Sequence, residues 1–406
     1  MFNDHNVTYL NNERKHMLEL KLAYRNLVGA KLRTVLNVGI LSFIYVLIIW
    51  HQSLFNGMYG QASQFMIKDD IGGGQYWFEK YDPYDLSLID DIHGKIPEEI
   101  EHLIQHKQAA PILIRPASFF PKGRIQSVLL KGIEPEQTIL DIPTTKLGEE
   151  SGYLPIMVGR LMAKKNFLQD GDTFTIQWRD ANGTFDAVEG KIVEIMNSFV
   201  PAIDKGQMWV SLDKLQKMSV LEDEATIIVV GKNVKNQKDL SYWTFRNPEY
   251  LLQEVTAIVS SKRGGSIVLY MILLFLAMLA IFDTQVLSIF RRRKEIGTLM
   301  ALGMVRSRII KLFTLEGALN GILGMMLASL YGAPLLILSE KHGIPLPFKA
   351  ENAGMALTPR LYSEYSAGLI LGTILIVLLT VTFVSYLPSR KISGVNPTEA
   401  LRGKIS

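Results

Sequence analysis

The chain of 406 residues contains no cysteine. This rules out a disulfide framework and any metal site built on thiolates. Three missing motifs remove further classes of chemistry. There is no G-x-x-x-x-G-K-[ST] loop to cradle a nucleotide phosphate, no H-E-x-x-H pair to hold a catalytic zinc, and no G-x-S-x-G turn to present a nucleophilic serine. No enzyme active site is expected in this chain, and no cofactor or metal of its own.

Charge is absent over long stretches. Between Arg33 and Lys68 no acidic or basic residue occurs across 34 positions. Residues 264–290 carry only Asp283, 312–339 only Glu316, and 365–389 none. Each run exceeds the roughly 20 residues with which a helix spans a bilayer. In lipid every backbone polar group needs an internal partner, so the runs imply four transmembrane helices.

The charges that are present fall unevenly. Residues 1–35 hold six Lys/Arg against three Asp/Glu, 291–313 seven against one, and 388–406 four against one. Residues 57–265 hold 23 against 29, and 339–364 three against three. Basic short loops stay in the cytoplasm, so both termini and the 291–313 loop are expected inside. The acidic segment of about 200 residues is expected outside. The net charge of +4 hides this polarity and gives no indication of nucleic acid.

The following divisions are expected: a cytoplasmic and interfacial amphipathic helix (1–33), a first span continuing into a stalk (34–67), an external mixed α/β domain (68–263), a second span (264–290), and a cytoplasmic helix (291–311). A third span (312–339), an external loop (340–364), a fourth span (365–389) and a cytoplasmic tail (390–406) follow. The stalk comes from length. At 1.5 Å per residue, 34 residues measure about 51 Å, against roughly 30 Å of hydrocarbon. His51, Gln52, Asn56, Gln61 and Gln64 also make the second half too polar for lipid.

In the external domain strands are expected at Ser127–Lys131, Thr173–Trp178, Thr184–Glu194, Gln207–Ser211 and Ala225–Val230. Helices are expected at Glu98–Gln108, Gly159–Phe167, Asp213–Met218 and Glu249–Ser260, the last entering the second span through SKRGG. Asn182-Gly183 suits a type I′ hairpin turn, which is preferred to a calcium loop because the ligand ladder of an EF-hand is missing. His102 and His106 have metal-ligand spacing, but a solvated helix face explains them without the third and fourth ligands zinc needs. QYWFEKYDPY, residues 75–84, reads as a strand and turn.

Asp283 and Glu316 lie near the basic ends of their spans, where pairing with Arg291–Lys294 or Arg306 is expected. Gly317, Gly321, Gly324, Ala328 and Gly332 form a small-residue stripe on the third span, and Gly368 and Gly372 a shorter one on the fourth. Such stripes let helix backbones approach closely. RRRKEIGTLMALGMVRSRIIK, residues 291–311, turns apolar again within five residues of leaving the second span. Ile296, Leu299, Met300 and Leu302 then recur at helical spacing, so a short amphipathic helix is expected, broken by Gly303. It is short enough to fit a groove on another protein, and the alternative is a helix resting on lipid.

Several segments resemble one family. RRRKEIGTLMALG resembles the R-x-x-E-I-G-x-L-x-A-L-G segment of FtsX-like/MacB-type ABC transporter permeases. LPSRKISGVNPTEALRG resembles their C-terminal ending through Pro388, Arg390, Lys391, Pro397, Glu399, Ala400, Leu401 and Arg402. LAYRNLVGAKLRTVLNV resembles the start of their first helix. PIMVGRLMAKKNFLQDGDTFTIQW and GIEPEQ resemble the MacB-like periplasmic domain. Departures stand at Arg291, where many relatives carry an acid, and at Asp283, where Asn is common.

The resemblance implies a permease subunit in the bacterial inner membrane, paired with an identical or homologous permease over a dimer of ATP-binding subunits. ATP and Mg²⁺ would be bound by those subunits. The family's mode of action is mechanotransmission, in which force passes to the periplasmic domain and no substrate crosses a central channel. Glu295, Ile296, Gly297, Leu299, Ala301, Leu302 and Gly303 would form the ATPase-coupling knob, with Ile296 and Leu299 supplying apolar burial. Length and the missing ATPase domain resemble the LolC/LolE lipoprotein-releasing permeases, which implies lipoprotein cargo and a periplasmic carrier. An efflux permease with an adaptor and outer-membrane duct, an FtsX-like regulator of a cell-wall hydrolase, and a structural membrane scaffold remain alternatives.

Overall fold

In the computed structural model the charge-free run after Arg33 forms one uninterrupted helix, α1 (Lys31–Met66). Its 36 residues measure about 54 Å. The described residues are Arg25, Gly29 and 31–394, apart from 86–87, 151, 235–236 and 347–354. The expected cytoplasmic and interfacial helix (1–33) and the motif residues Pro397 to Arg402 therefore fall almost wholly outside them. Contacts divide the chain into two units: a helical one (Met1–Gly57, Ser260–Ile344, Tyr362–Ser406) and an α/β one (Met58–Val259, Pro345–Leu361).

After α1 a π-helical turn, Ile67–Ile71, ends at Gly72, whose φ of +63° places it in the region that favours glycine. The α/β unit then runs β1 (Gln75–Phe78), β2 (Gly94–Lys95), α2 (Glu98–Gln105), β3 (Ala109–Phe119) and β4 (Gln126–Ile133). It continues with β5 (Leu154–Gly159), α3 (Arg160–Asn166), β6 (Thr173–Arg179), β7 (Phe185–Met196), α4 (Pro201–Gly206) and β8 (Gln207–Ser211). α5 (Leu212–Ser219), β9 (Glu224–Ala225), β10 (Ile227–Val230), β11 (Trp243–Arg246) and α6 (Pro248–Leu251) complete it.

Nine strands pair in the order β11-β1-β10-β3-β4-β8-β5-β7-β6, and the far end of β3 also pairs with β6. Six strands, from β3 round to β6, therefore close into a ring, which leaves them no free edge. Leu113, Phe119, Leu130, Ile156, Val158 and Ile176 are among the residues that fill its core. A second core forms where β10, β1 and β11 extend the sheet beside α2, with Tyr76, Ile100, Ile228 and Trp243. Arg115 on β3 is almost fully buried, and its guanidinium donates to the Arg179 carbonyl at 3.1 Å and faces the Asp90 carboxylate at 3.2 Å. Burial pulls the Arg115 pKa down, and Asp90 works against that shift.

Some sequence expectations need correction. Asn182-Gly183 does not form a type I′ turn. Pairing of β6 with β7 starts at Arg179–Phe185, and Gly183 has positive φ (+82°) while Asn182 does not. The Asp180 carboxylate instead accepts from the Asn182 and Thr184 backbone N–H groups and holds a longer loop. Ala225–Val230 splits at Thr226, whose hydroxyl accepts from Ile114 N at 3.1 Å. α2 stops at Gln105, short of Gln108, and β3 and β5 are additional strands.

α7 (Gln253–Arg291) is continuous through Gly264 and Gly265, so the helix expected up to Ser260 enters the second span through SKRGG with no interruption. Each glycine costs a helix only about 1 kcal/mol, less than the long flanking apolar segment supplies. α8 (Arg293–Ala301), α9 (Arg306–His342) and α10 (Ala367–Arg390) follow. Among the described residues, four helices, spanning Leu32–Ile71, Gln253–Arg291, Arg306–His342 and Ala367–Arg390, are long and apolar enough to cross a membrane.

The stripe on α9 is used. A Cβ added at Gly317 would lie 1.9 Å from Ser385 Oγ on α10, and one at Gly321 3.0 Å from Leu378. Further along, a Cβ at Gly324 would lie 2.8 Å from Leu41 and one at Gly332 2.5 Å from Val46, both on α1. Ala328 is buried between these two glycines. The expected packing role of Gly368 and Gly372 is not seen. Nothing within the described chain lies within 4 Å of a Cβ at either position, because α10 turns that face away from its own neighbours.

Candidate functional site

The basic run 291–294 ends α7 and starts α8. Arg292, at φ −100° and ψ 16°, leaves helical geometry between them. α8 then lasts nine residues and closes on a Schellman motif. Met304 N donates to Leu299 O and Gly303 N to Met300 O, each at 3.0 Å. That geometry puts Gly303 at φ +90°, where a side chain would be strained. Val305, extended, turns the chain into α9.

The apolar side of α8 is covered by its own chain. Ile296 is 1% exposed in a cluster with Ile289, Ile309, Phe313 and Ile392, and Leu299 and Met300 pack half-buried at its edge. This corrects the expectation that Ile296 and Leu299 offer apolar surface outward, because the face they share is needed to hold α8 against α9. The exposed apolar side chain is Leu302, at 80%, with Ala301 and Gly303 exposed beside it. Gly297 is buried on the inner side.

Arg292 ties the segment to the helices. Its Nε lies 2.7 Å from Glu295 on α8 and its Nη1 2.9 Å from Glu316 on α9, with the Phe313 ring at 4.9 Å. The exposed Glu295 thus pairs within the chain. Glu316 is buried, as expected for an acid paired near the end of its span, and Asn320 Nδ2 donates to the Glu316 carbonyl at 3.1 Å. Asn37 donates to Thr284 at 2.9 Å, and with Gln285 and Ser288 these residues make a polar layer between apolar helices. Asp283 departs from expectation. Among the described residues it makes no ion pair, and it sits on the exposed face of α7 between exposed Leu279 and Leu287. The bridging role of Arg292 carried no separate signal in the sequence, where it is one of four adjacent cations.

Comparison with known proteins places this region. Residues 267–397, which hold most of α7 and all of α8, α9 and α10, match the family profile of the FtsX-like permease C-terminal domain. This part of the chain is thus similar to FtsX-like permease C-terminal domains. Over 218 residues the chain is 27% identical to an uncharacterized ABC transporter permease, MJ1507, of Methanocaldococcus jannaschii. The match covers 51% of each, so the chain spans about half the length of that relative. Among solved structures, the extracellular domain of the noncanonic ABC-type transporter YknZ from Gram-positive bacteria matches 43% of this chain and 99% of its own, at 12% identity. Its TM-score of 0.29 is too low to carry a fold argument.

Proposed function

We propose that the chain is the membrane subunit of an ABC transporter, working with a separate ATP-binding subunit, and that it releases acylated lipoproteins from the bacterial inner membrane. The observation that carries the first part is the end of α8. Leu302 projects from a helix clamped by its buried face and by Arg292 to α9, so a push on Leu302 reaches a membrane helix without first deforming a loop. The position of this segment inside the matched FtsX-like domain, and the relative described as an ABC transporter permease, support the reading. In it ATP and Mg²⁺ belong to the partner, the termini and α8 face the cytoplasm, and the α/β unit works on the other side as a MacB-like domain. A second permease subunit completes the assembly. The lipoprotein cargo rests on the LolC/LolE resemblance of four apolar helices with an inserted external domain.

Leu302→Asp is expected to abolish stimulation of the partner ATPase while membrane insertion stays normal. Gly303→Pro should do the same, since proline removes the N–H that Met300 O accepts and cannot adopt positive φ. Full ATPase stimulation in both variants would sink the coupling assignment. Gentle purification from the native membrane without ATP, followed by mass spectrometry, tests the cargo. An ATP-binding subunit with acylated lipoproteins supports release, whereas an adaptor or hydrolase in their place moves the function to efflux or cell-wall regulation.

A further inference from the structure

At the end of α1, within the α/β unit, lies a cleft of about 190 Å³. Three separate parts of the chain wall it: the last turn of α1 with the π-helical turn after it, the segment between β4 and β5, and the end of β7 with the loop that follows. Drug-sized ligands need roughly 300 Å³ or more, so a molecule that fits here is small. Asp69 lines the cleft with only 7% of its surface exposed. Its carboxylate accepts from Ser198 Oγ at 2.7 Å, and the same Oγ accepts from Val200 N at 3.1 Å. The hydroxyl thus gives its proton to Asp69 and is fixed in place by the backbone.

Among the described residues no cation pairs with Asp69. Lys68, the lysine that lines the cleft, is taken by Asp141, which lines it as well. One positive and two negative side chains leave the lining with one negative charge over. A carboxylate this buried is ordinarily paired, because a hydroxyl supplies a hydrogen bond but no charge. Phe65 and Phe199 also line the cleft, as a tilted pair with ring centroids 4.8 Å apart. Aromatic rings attract organic cations, whereas a bound metal ion needs a shell of oxygen ligands that rings do not supply. We propose that this cleft binds a small organic ammonium, its charged nitrogen on Asp69 and its alkyl part against Phe65 and Phe199. The bound molecule links the end of α1 to the loop after β7, two segments far apart in sequence. The assignment uses only the α/β unit and is independent of the proposed cargo and ATPase partner.

The test uses the full chain in detergent, titrated calorimetrically with propylammonium chloride and, separately, with n-propanol, its neutral counterpart of equal length. Wild type should bind propylammonium saturably and n-propanol roughly tenfold more weakly, the difference that a hydrogen bond to a charged group makes. Asp69→Asn keeps an oxygen for Ser198 and removes the charge, so it should weaken propylammonium roughly tenfold and leave n-propanol unchanged. Phe199→Leu keeps the wall apolar and should weaken only the ammonium, roughly threefold, through loss of the cation–π attraction. If Asp69→Asn does not fold, the two probes on wild type and Phe199→Leu decide. Equal affinity of wild type for both probes overturns the proposal, as does the lack of saturable propylammonium binding. An unchanged affinity in Asp69→Asn overturns it as well. Displacement by an equal concentration of Na⁺ would make the cleft an inorganic cation site and has the same consequence.

Discussion

Gly317 leaves room for one hydrogen and nothing more, since Ser385 Oγ and Cβ would stand 1.9 and 2.4 Å from any Cβ placed there. The neighbouring atoms belong to a buried residue on a packed helix, so they have little freedom to yield. Gly317→Leu is expected to destabilise the helical unit by about 1–3 kcal/mol or more, the cost of overpacking, seen as a lower melting temperature in detergent. Gly368→Leu should stay within about 0.5 kcal/mol of wild type, since open space lies over it. Equal losses at the two positions would contradict the packing described. In the α/β unit, half-buried Glu134 is a different kind of cost. Burial raises its pKa more than nearby Lys107 lowers it. An acid whose folded-state pKa is raised contributes stability at low pH that is lost as pH rises through that value. Glu134→Gln should therefore raise the melting temperature at neutral pH, with the advantage shrinking as pH falls toward the ordinary carboxylate range near 4.3. A pH-independent difference would show that ionisation is not the cause.

Among the elements, α7 shows how a long apolar segment overrides a local signal. The adjacent Gly264 and Gly265 disfavour helix locally, yet the helix runs through them, and nothing lies within 4 Å of a Cβ at either position. Replacing both with alanine should stabilise this stretch by about 1 kcal/mol each, read as slower amide exchange across neighbouring residues. Unchanged or faster exchange would mean the glycines are held by something other than helix propensity. Strands with clear alternation, such as β6, and β8 with its adjoining helix α5, were legible in sequence. β3 was not, because Pro111 and Pro116 are breakers in isolation. The pairing explains them. Pro111 is paired only toward β10 and Pro116 only toward β4, so each sits where one side of the strand makes no ladder. The hairpin loop was placed correctly and typed wrongly, since the Asp180 side chain supplies hydrogen bonds that a two-residue turn would not need.

For the whole molecule, strands β1 to β11 of the α/β unit lie between Gln75 and Arg246, and its two cores draw on residues from the same interval. A fragment of residues 68–248 is expected to be soluble and to unfold cooperatively in denaturant, with tryptophan fluorescence and far-ultraviolet dichroism changing together. Non-coincident transitions would show that the cores need the long helices. The sequence by itself determined the four apolar helices, the inserted mixed α/β segment, and the short helix ended by Gly303. These depend on run length, residue periodicity and backbone preference, which are properties of neighbours along the chain. Only the tertiary structure decided that Ile296 faces inward and Leu302 outward, that Arg292 clasps Glu316, that the α9 glycines are filled while those of α10 are open, and that six strands close into a ring. Each of these depends on which distant surface arrives to cover a given face, and helical or strand periodicity records that a face is apolar without recording what lies against it.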